Sequence, residues 1–333
     1  MTGVIRRDML KGAAALVGAA AMALVASAGP VLADTYPSKP VTIVVPFPPG
    51  GSTDLLARQI AEKIAGPLGQ PVVVENRGGA GGTVGAFHVV KSAPDGYTLL
   101  MGVTGSNAIS AALRDDLPYD PVKDFAPVSL VVSAPLVLVV NADSKFKTVQ
   151  DVVAHAKAKP GTFTHGSPGV GTSMHMAGEL FGLQSDTKLV HVPYKGSAAA
   201  LQDLLGGQID AMFGDLLVVS EHVKAGKLRA LGVTSMKRHP MLPDTPTIAE
   251  TVLPKYEATS WQGVFAPAGT PAPVLTRLYQ EVSKALATDE LKAFFAQRGF
   301  LVEGRTPEES KAFIAAEVPK WKEVVKAAGI KTQ

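Results

Sequence analysis

The sequence predicts an α/β protein of two βα domains with a cleft between them, and three observations support this prediction. Short β-branched apolar runs alternate with amphipathic stretches, which is the order of a parallel sheet covered by helices. The apolar run at residues 128–140 is unusually long and has Pro135 in its middle, and residues 261–266 have the pattern of a strand that returns the chain. We therefore expect a split first domain at residues 36–133 and 262–333, with a second domain inserted at residues 134–261.

The first domain is predicted to begin with alternating strands and helices. Apolar side chains at positions 55, 56, 60 and 64 share one face, which is the periodicity of a helix. The predicted order is a strand at 41–45, a helix at 53–65, a strand at 72–75, a helix at 82–93 and a strand at 97–102. Within residues 128–140, Pro135 has no N–H to donate to a central ladder, which predicts two strands that meet at a hinge.

The second domain repeats the alternation of strand and helix. Its predicted elements are a helix at 148–159, a strand at 163–165, a helix at 171–182, a strand at 188–192, a helix at 197–205, a strand at 211–213, a helix at 218–224 and a strand at 230–234. After the strand at 261–266, a stretch rich in proline and glycine leads into three helical segments at 274–287, 289–298 and 307–328.

The N-terminal residues 1–33 have the three parts of an export signal. Arg6, Arg7 and Lys11 form a positive region, residues 12–28 form a weakly apolar stretch, and residues 31–33 fit a cleavage site for small residues. The paired arginines favour twin-arginine export, and an ordinary secretory signal is the alternative. We expect residues 1–33 to be removed from the mature protein.

Composition excludes several classes of function. The chain of 333 residues has no cysteine, which excludes a disulfide framework, a thiolate metal site and a cysteine nucleophile. The formal net charge is only +3, and no basic cluster with interleaved aromatic residues suggests nucleic-acid binding. The histidines show no helical i, i+4 pairing, so metal ligation has no support. Beyond the signal, no stretch is long and apolar enough to span a bilayer.

The first motif that can carry binding chemistry is the loop at residues 45–54, Val-Pro-Phe-Pro-Pro-Gly-Gly-Ser-Thr-Asp. It follows a predicted strand and opens a predicted helix. Gly50 and Gly51 permit tight turns, and Ser52 or Thr53 can cap the helix. Exposed N–H groups and the helix dipole make such a terminus an anion site, whereas a plain capped turn is the simpler reading. Asp54 either braces the loop or accepts a hydrogen bond from a ligand.

Four further loops lie at the carboxyl ends of predicted strands. Residues 166–175 are the counterpart of the first loop in the second domain, with His175 as a packing, capping or ligand residue. Residues 192–197 contribute an aromatic side chain and the exposed cation Lys195, residues 213–215 end in a carboxylate that either caps the next helix or binds a ligand, and residues 102–107 are small and polar. Ligands of open α/β sheets bind at this edge of the sheet, so these loops predict a ligand cleft that closes by hinge motion.

Several of these motifs resemble one known family in unbroken order from about residue 36 to the C-terminus. They are Tyr-Pro-Ser-Lys-Pro at 36–40 with the loop that follows it, Glu-Asn-Arg-Gly-Gly-Ala-Gly-Gly at 75–82, Pro-Asp-Gly-Tyr-Thr at 94–98, Val-Pro-Tyr-Lys-Gly at 192–196, Gly-Gly-Gln-Ile-Asp at 206–210 and Leu-Gly-Val-Thr-Ser at 231–235. On these residues the chain resembles the Bug family, the TctC-like substrate-binding proteins of tripartite tricarboxylate transporters.

The resemblance implies a type II periplasmic-binding-protein fold, in which two domains are joined by crossover strands around a ligand cleft. It implies a protein of the periplasm, without enzymatic activity or cofactor, that binds a di- or tricarboxylate, an aromatic acid or an amino acid. Its partners would be one large and one small membrane subunit or, alternatively, a signalling receptor; we expect a monomer that binds no nucleic acid. The implied ligand-binding residues are Phe47, Gly51, Ser52, Asp54, Asn107, Gly171, Thr172, Ser173, Tyr194 and Asp215.

An exported hydrolase is the main alternative from another class. The sequence Gly-Thr-Ser-Met-His at 171–175 approaches a nucleophile elbow but has histidine where the strained turn needs glycine. A dinucleotide enzyme has less support, because no G-x-G-x-x-G motif follows the first strand.

Overall fold

The computed structural model describes residues 36–327 and 329–330. The predicted export signal at residues 1–33 lies outside the described residues. The strands are β1 (Val41–Val45), β2 (Val72–Asn76), β3 (Thr98–Val103), β4 (Phe125–Asn141), β5 (Thr164–Ser167), β6 (Val190–Pro193), β7 (Ala211–Asp215), β8 (Leu228–Val233), β9 (Thr259–Pro267) and β10 (Leu301–Val302). The helices are α1 (Ser52–Leu68), α2 (Thr83–Val90), α3 (Ser110–Leu113), α4 (Val149–Ala158), α5 (Ser173–Ser185), α6 (Ser197–Leu205), α7 (Leu216–Lys224), α8 (Ile248–Thr251), α9 (Ala272–Ala287), α10 (Asp289–Ala296) and α11 (Pro307–Ala327).

The strands form two groups, each with a parallel core of three strands, and β4 pairs antiparallel with strands of both groups. In the first lobe, β1 pairs in parallel with β2 and β3, and β9 lies antiparallel between β3 and β4. In the second lobe, β5 pairs in parallel with β6 and β7, whereas β7 and β8 run antiparallel to β4. This arrangement is the predicted α/β architecture of two lobes. It supports domain boundaries near residues 134 and 262, which stay a prediction.

The prediction of two strands that meet at Pro135 was wrong, because β4 is one continuous strand of 17 residues. Pro135 is the last β4 residue paired with β9, and from Leu136 onward β4 pairs with β7 and β8. The proline therefore stands where the strand changes partners, at the end of a ladder, and its missing N–H interrupts no pairing. The N–H of Leu136 is satisfied by the Thr234 hydroxyl at 2.7 Å.

Alternate side chains of β4 supply two separate cores in the second lobe. Leu136, Leu138 and Val140 pack with the buried faces of α4 and α5, while Val137 and Val139 pack with those of α6 and α7. Successive strand residues point to opposite faces, so one apolar run serves both layers of helices. The continuous apolar sequence of β4 is thus the mark of a strand covered on both sides.

The C-terminal helix α11 packs against the first lobe. Its Ile314, Trp321 and Val325 are buried in the same core as Trp261 of β9. The buried carboxylate of Glu317 accepts the indole N–H of Trp261 at 3.1 Å and that of Trp321 at 3.0 Å. Among residues 36–327 and 329–330, none of the helices combines the length and the apolar character that a membrane crossing requires.

Candidate functional site

A cavity of about 280 Å³ lies between the two lobes at the carboxyl ends of the strands. Four helices begin at its wall, and they follow β1, β5, β6 and β7 along the chain. The first N–H groups of a helix have no partner within the helix and carry the positive end of its dipole. The cavity wall is therefore rich in hydrogen-bond donors. The residues of these four termini that line it are Ser52, Thr53 and Asp54 of α1, Thr172 and Ser173 at α5, Ser197, Ala198 and Ala199 of α6, and Asp215 at α7.

The start of α1 differs from the prediction that Ser52 or Thr53 caps it. Gly51 occupies the cap position, and the N–H of Leu55 donates the first hydrogen bond of the helix to the carbonyl oxygen of Gly51 at 3.1 Å. Because glycine has no side chain, nothing on the cap competes for the first N–H groups of the helix. The Ser52 hydroxyl is free to bond elsewhere, and it donates across the cleft to Asp215 at 2.8 Å.

Asp54 braces the first loop. Its carboxylate accepts the N–H of Gly50 at 3.1 Å, two bonds from Arg58 at 3.0 Å, and one bond from the Asn76 amide at 2.9 Å. Asn76 also donates to the carbonyl oxygen of Phe47. Burial alone would raise the pKa of Asp54, but these hydrogen bonds and the positive Arg58 outweigh burial and lower it. Although Asp54 lines the cavity, its carboxylate is already neutralised by Arg58.

Asp215 is the other carboxylate of the cavity, and its surroundings are different. It is 2% exposed and stands at the cap position of α7, and in the described chain its side chain makes no capping bond. One oxygen accepts the Ser52 hydroxyl, and the other has no hydrogen-bond partner among the described residues. Burial raises the pKa of Asp215 to about 6, although the bond from Ser52 acts in the opposite direction.

The loop before α5 is held by its own side chains. Thr172 caps the helix, accepting the N–H of His175 at 3.3 Å and donating to the Gly169 carbonyl oxygen at 2.8 Å. The N–H of Gly171 is bonded to His175 Nδ1 at 3.2 Å, so it serves the loop itself. The Ser173 hydroxyl contacts the sulfur of Met174 at 3.4 Å. His175 therefore holds the loop in place through its hydrogen bonds to Gly171 and Thr172.

A stack of three histidines supports this loop. The rings of His175 and His191 are 3.9 Å apart and those of His165 and His191 are 5.1 Å apart. Glu179 lies 3.4 Å from His175 Nε2, and His191 Nε2 lies 2.6 Å from the buried Ser167 hydroxyl. Burial, together with the neighbouring His175, lowers the pKa of His165 to about 4 and holds that of His191 lower still. The two groups are neutral imidazoles near pH 7.

The structure brings seven of the ten sequence-predicted site residues to the wall of this cavity and places three elsewhere. Gly171 and Tyr194 line a neighbouring opening of about 790 Å³, which shares Phe47 with the first cavity. The Tyr194 hydroxyl donates to Asp203 at 2.7 Å. Asn107 is fully buried behind β3, accepts the Ser106 hydroxyl at 2.6 Å, and lines neither opening. The seven on the wall are Phe47, Gly51, Ser52, Asp54, Thr172, Ser173 and Asp215.

Sequence reasoning did not select several residues that line the cavity. Ala198 and Ala199 line the cavity in the first turn of α6, and a role for their backbone N–H groups cannot be predicted from side-chain types. Lys195, which the sequence predicts to be an exposed cation, lies on the wall beside them. Gln262 is 3% exposed, and its side-chain oxygen has no partner in the described structure. An amide within a strand that is apolar from Val264 onward was a signal that could have identified it.

The two lobes touch beside the cavity. Besides the bond between Ser52 and Asp215, the backbone of Gly105 in the first lobe packs against the backbone of Gly171 in the second. A Cβ built on Gly105 would lie 2.8 Å from the carbonyl oxygen of Gly171. The described residues contain no group of three or more histidine and carboxylate side chains arranged to hold a metal ion.

Two α/β lobes that share the continuous strand β4, with a cavity between them at the carboxyl ends of the strands, define a solute-binding protein of the two-domain type II periplasmic class. Residues 56–330 match the model of the tripartite tricarboxylate transporter family receptor. The chain belongs to this family of substrate-binding receptors, as the sequence motifs predicted.

Individual relatives agree with this assignment. The BugT protein of Bordetella pertussis is 41% identical over 305 residues, which is 91% of this chain and 94% of that protein. The structure of periplasmic binding protein BugD is 36% identical with a TM-score of 0.84, and the match covers 90% of this chain and 100% of that one. The structure of R. palustris Rpa4515 with adipate is 36% identical with a TM-score of 0.85 and covers 89% and 99%.

Proposed function

We propose that this chain captures a small organic carboxylate in the periplasm, in the 280 Å³ cavity, and delivers it to the membrane subunits of a tripartite tricarboxylate-type transporter. The observation that carries the proposal is the convergence of four helix N-termini on one cavity between the lobes. The adipate in the related R. palustris structure supports a carboxylate ligand. The delivery step rests on the family's name.

Neutral donors suit the capture and release of an anion. The N–H groups at Ser52–Asp54 and Ser197–Ala199 can surround a carboxylate without a buried counter-ion, which avoids the penalty of removing a paired cation from water. Lys195 on the wall is exposed and attracts anions while it stays hydrated. The apolar side chains of Phe47, Met174 and Val103 line the same space and would contact the carbon chain of the ligand.

The geometry gives no support to the alternative of a hydrolase. A serine nucleophile needs a histidine within hydrogen-bond reach and an oriented access to substrate. Ser173 contacts Met174, and His175 is engaged with Gly171 and Glu179. Ser167 does pair with His191, but Ser167 is fully buried and does not line the cavity. We therefore propose a binding protein that leaves its ligand unchanged.

A matched pair of variants at Ala199 tests whether the cavity binds an anion. Ala199 is exposed in the first turn of α6 and lines the cavity, so a longer side chain there would reach the ligand without disturbing a core. Ala199→Glu and Ala199→Gln have the same size and differ in charge. Two unit charges about 10 Å apart at an effective dielectric constant of about 20 repel by about 1.7 kcal/mol. We expect the Glu variant to bind carboxylates about tenfold more weakly than the Gln variant.

The measurement is isothermal titration calorimetry with the acid that the unmodified protein binds best, repeated in 1 M NaCl, where exposed charges are screened. The difference between the two variants should shrink in high salt. Equal affinities at low salt would show that the ligand does not carry negative charge into this cavity, and the proposed function would then be wrong.

A further inference from the structure

The first lobe meets the second at the carbonyl oxygens of the loop before α5. A Cβ built on Gly81 of the first lobe would collide with the carbonyl oxygen of Val170, and one built on Gly105 would lie 2.8 Å from that of Gly171. Glycine at these two positions therefore lets the backbone of the first lobe approach the loop more closely than a side chain would permit. The fit between the lobes then depends on the direction in which these oxygens point.

His175 fixes the orientation of the peptide between Val170 and Gly171. The N–H of Gly171 donates to His175 Nδ1 at 3.2 Å. The N–H and C=O bonds of a trans peptide lie in one plane and point in opposite directions. The hydrogen bond on the N–H side therefore also sets the direction of the Val170 carbonyl oxygen, which faces Gly81. Through this one rigid peptide, a side chain of the second lobe acts on the contact between the lobes.

Glu179 favours the tautomer of His175 that this hydrogen bond needs. An imidazole nitrogen accepts an N–H only when it carries no proton, so neutral His175 must carry its proton on Nε2. Oε1 of Glu179 lies 3.4 Å from Nε2. Burial alone would raise the pKa of Glu179, but its hydrogen bond and its charge interaction with His175 outweigh burial and lower the pKa. Glu179 is therefore an ionised acceptor for the Nε2 proton.

The other titratable groups around His175 keep their charge state between pH 6 and pH 8. The ring of His191 on β6 stacks on His175 at 3.9 Å, and His165 on β5 lies beyond it. Both are neutral in this range, because burial lowers the pKa of His165 to about 4 and that of His191 further. A proton that this stack gains between pH 8 and pH 6 therefore goes to His175. The titratable side chains of the opening that His175 also lines are Arg114, Tyr194 and Lys195.

We propose that Glu179 and His175 position the Val170–Gly171 peptide for closure of the lobes on a ligand, and that a proton on His175 Nδ1 releases this peptide. The inference rests on the proposed function and adds a control of affinity by pH. Protonated histidine has two N–H groups, so Nδ1 then no longer accepts from Gly171. Closure favours neutral His175, and the affinity for a carboxylate therefore falls as the pH falls.

A matched pair of variants at His175 isolates the hydrogen-bond acceptor. His175→Asn and His175→Leu have nearly the same size, and both remove the imidazole ring together with its contact to Glu179. Asparagine keeps an acceptor attached to Cγ, as Nδ1 is, whereas leucine has none. Calorimetry at pH 8 with adipate and with malate as probes measures the effect. We expect His175→Asn to bind about tenfold more tightly than His175→Leu, equivalent to about 1.4 kcal/mol, the size of one hydrogen bond.

The pH profile distinguishes this role from simple support of the loop. Between pH 8 and pH 6, the unmodified protein should lose affinity about threefold more than His175→Asn does, because the asparagine amide gains no proton. Asp215 acts in the opposite direction, because protonation at its raised pKa of about 6 removes a negative charge near the ligand. Asp215 and the probe acids are present in every titration, so their effects cancel in the comparison between variants.

The conservative variant Glu179→Gln provides a second test that leaves the fold intact. Glutamine still accepts from Nε2, so we expect the affinity at pH 8 to stay within about twofold of the unmodified protein. The loss of affinity in acid should move to lower pH, because the negative charge that favours protonated His175 is gone. The control is Glu221→Gln, the same change at an exposed residue of α7 in the same lobe, which should have the pH profile of the unmodified protein.

The outcomes distinguish this inference from the proposed function. If adipate or malate binds, but His175→Asn and His175→Leu bind it equally, the positioning role is overturned and the carboxylate site stands. Equal losses of affinity in acid for the unmodified protein and His175→Asn would also overturn it. If no carboxylate binds the unmodified protein, the proposed function falls, and the distance between the lobes then decides on the inference alone.

That distance is measurable without a ligand, because the chain has no cysteine. Spin labels on cysteines introduced at Glu62 of α1 and Ala158 of α4, which are both exposed, report the separation of the lobes by pulsed electron paramagnetic resonance. His175→Leu should show longer distances than His175→Asn in this doubly labelled background. Identical distance distributions would overturn the inference.

Discussion

Replacement of Gly105 by alanine tests whether the contact between the lobes controls binding. Gly105 lines the cavity, and a Cβ there would lie 2.8 Å from the Gly171 carbonyl oxygen and 3.3 Å from that of Gly81. The Gly171 oxygen must retreat by about 0.6 Å, the difference between 2.8 Å and an ordinary contact of 3.4 Å. Both obstacles are backbone atoms, so no flexible side chain can yield. Overpacking of this kind costs about 1–3 kcal/mol.

Most of the penalty of Gly105→Ala falls on the closed arrangement, because separation of the lobes removes the tighter contact, which is with Gly171 of the second lobe, and leaves only the looser one with Gly81 of the first lobe. We therefore expect affinity for the carboxylate ligand to fall about five- to 150-fold, with a smaller loss of stability in urea. Calorimetry measures the affinity, and small-angle X-ray scattering should show a larger radius of gyration without ligand. Gly66→Ala in α1, where an added Cβ meets nothing within 4 Å, is the control and should not weaken binding. Unchanged affinity in Gly105→Ala would refute the closure argument.

Two further predictions concern stability. Acidification from pH 7 to pH 5 should lower the free energy of unfolding, because the unfolded chain protonates its histidines near pH 6.5 while His165, with a pKa of about 4, stays neutral in the fold. By linkage, His165 alone lowers the free energy of unfolding by on the order of 2 kcal/mol at pH 5. His191 acts in the same direction. Asp215 acts in the opposite direction, because its raised pKa makes the folded state bind a proton more readily than the unfolded chain does. Urea titrations at both pH values check this, and equal or greater stability at pH 5 would contradict it. Asp54→Ala should lower the free energy of unfolding by about 2 kcal/mol, because it removes the hydrogen bonds that hold the first loop, and it should also weaken ligand binding. The control is Glu62→Ala, a change at an exposed residue of the same helix, which should do neither. An Asp54→Ala variant with unchanged stability and affinity would show that these hydrogen bonds are unnecessary.

The alternation of strands and helices could be predicted from the sequence because it is written in local patterns of apolar residues. The run at 128–140 shows where this reasoning failed. The apolar pattern correctly indicates a strand, but Pro135 predicts a break in it, since the sequence does not reveal that the strand exchanges β9 for β7 and β8 at that point. A proline is tolerated where a ladder ends, and only the tertiary pairing shows where this is.

The candidate site was predictable to the extent that it lies in loops after strands. The roles of individual side chains depended on contacts between distant positions. Ser52 and Asp215 are 163 residues apart, and only their meeting shows that Asp215 does not cap α7. The Tyr194 hydroxyl donates a hydrogen bond to Asp203, and the spacing of these residues in the sequence did not suggest this pairing. The donors of Ala198 and Ala199 belong to the backbone, so no residue type could announce them.

The central claim, that the cavity between the lobes binds a small carboxylate, is tested most directly by the melting temperature of the purified protein in the presence of candidate ligands. The panel would contain mono-, di- and tricarboxylates, aromatic acids and amino acids, with sugars and nucleotides as controls. A ligand at 100 times its dissociation constant stabilises the folded state by about 2.7 kcal/mol. We predict a clear increase with at least one acid, which calorimetry then confirms as a single site and Ala199→Glu weakens. Stabilisation by sugars or nucleotides, with no response to any acid, would contradict the account.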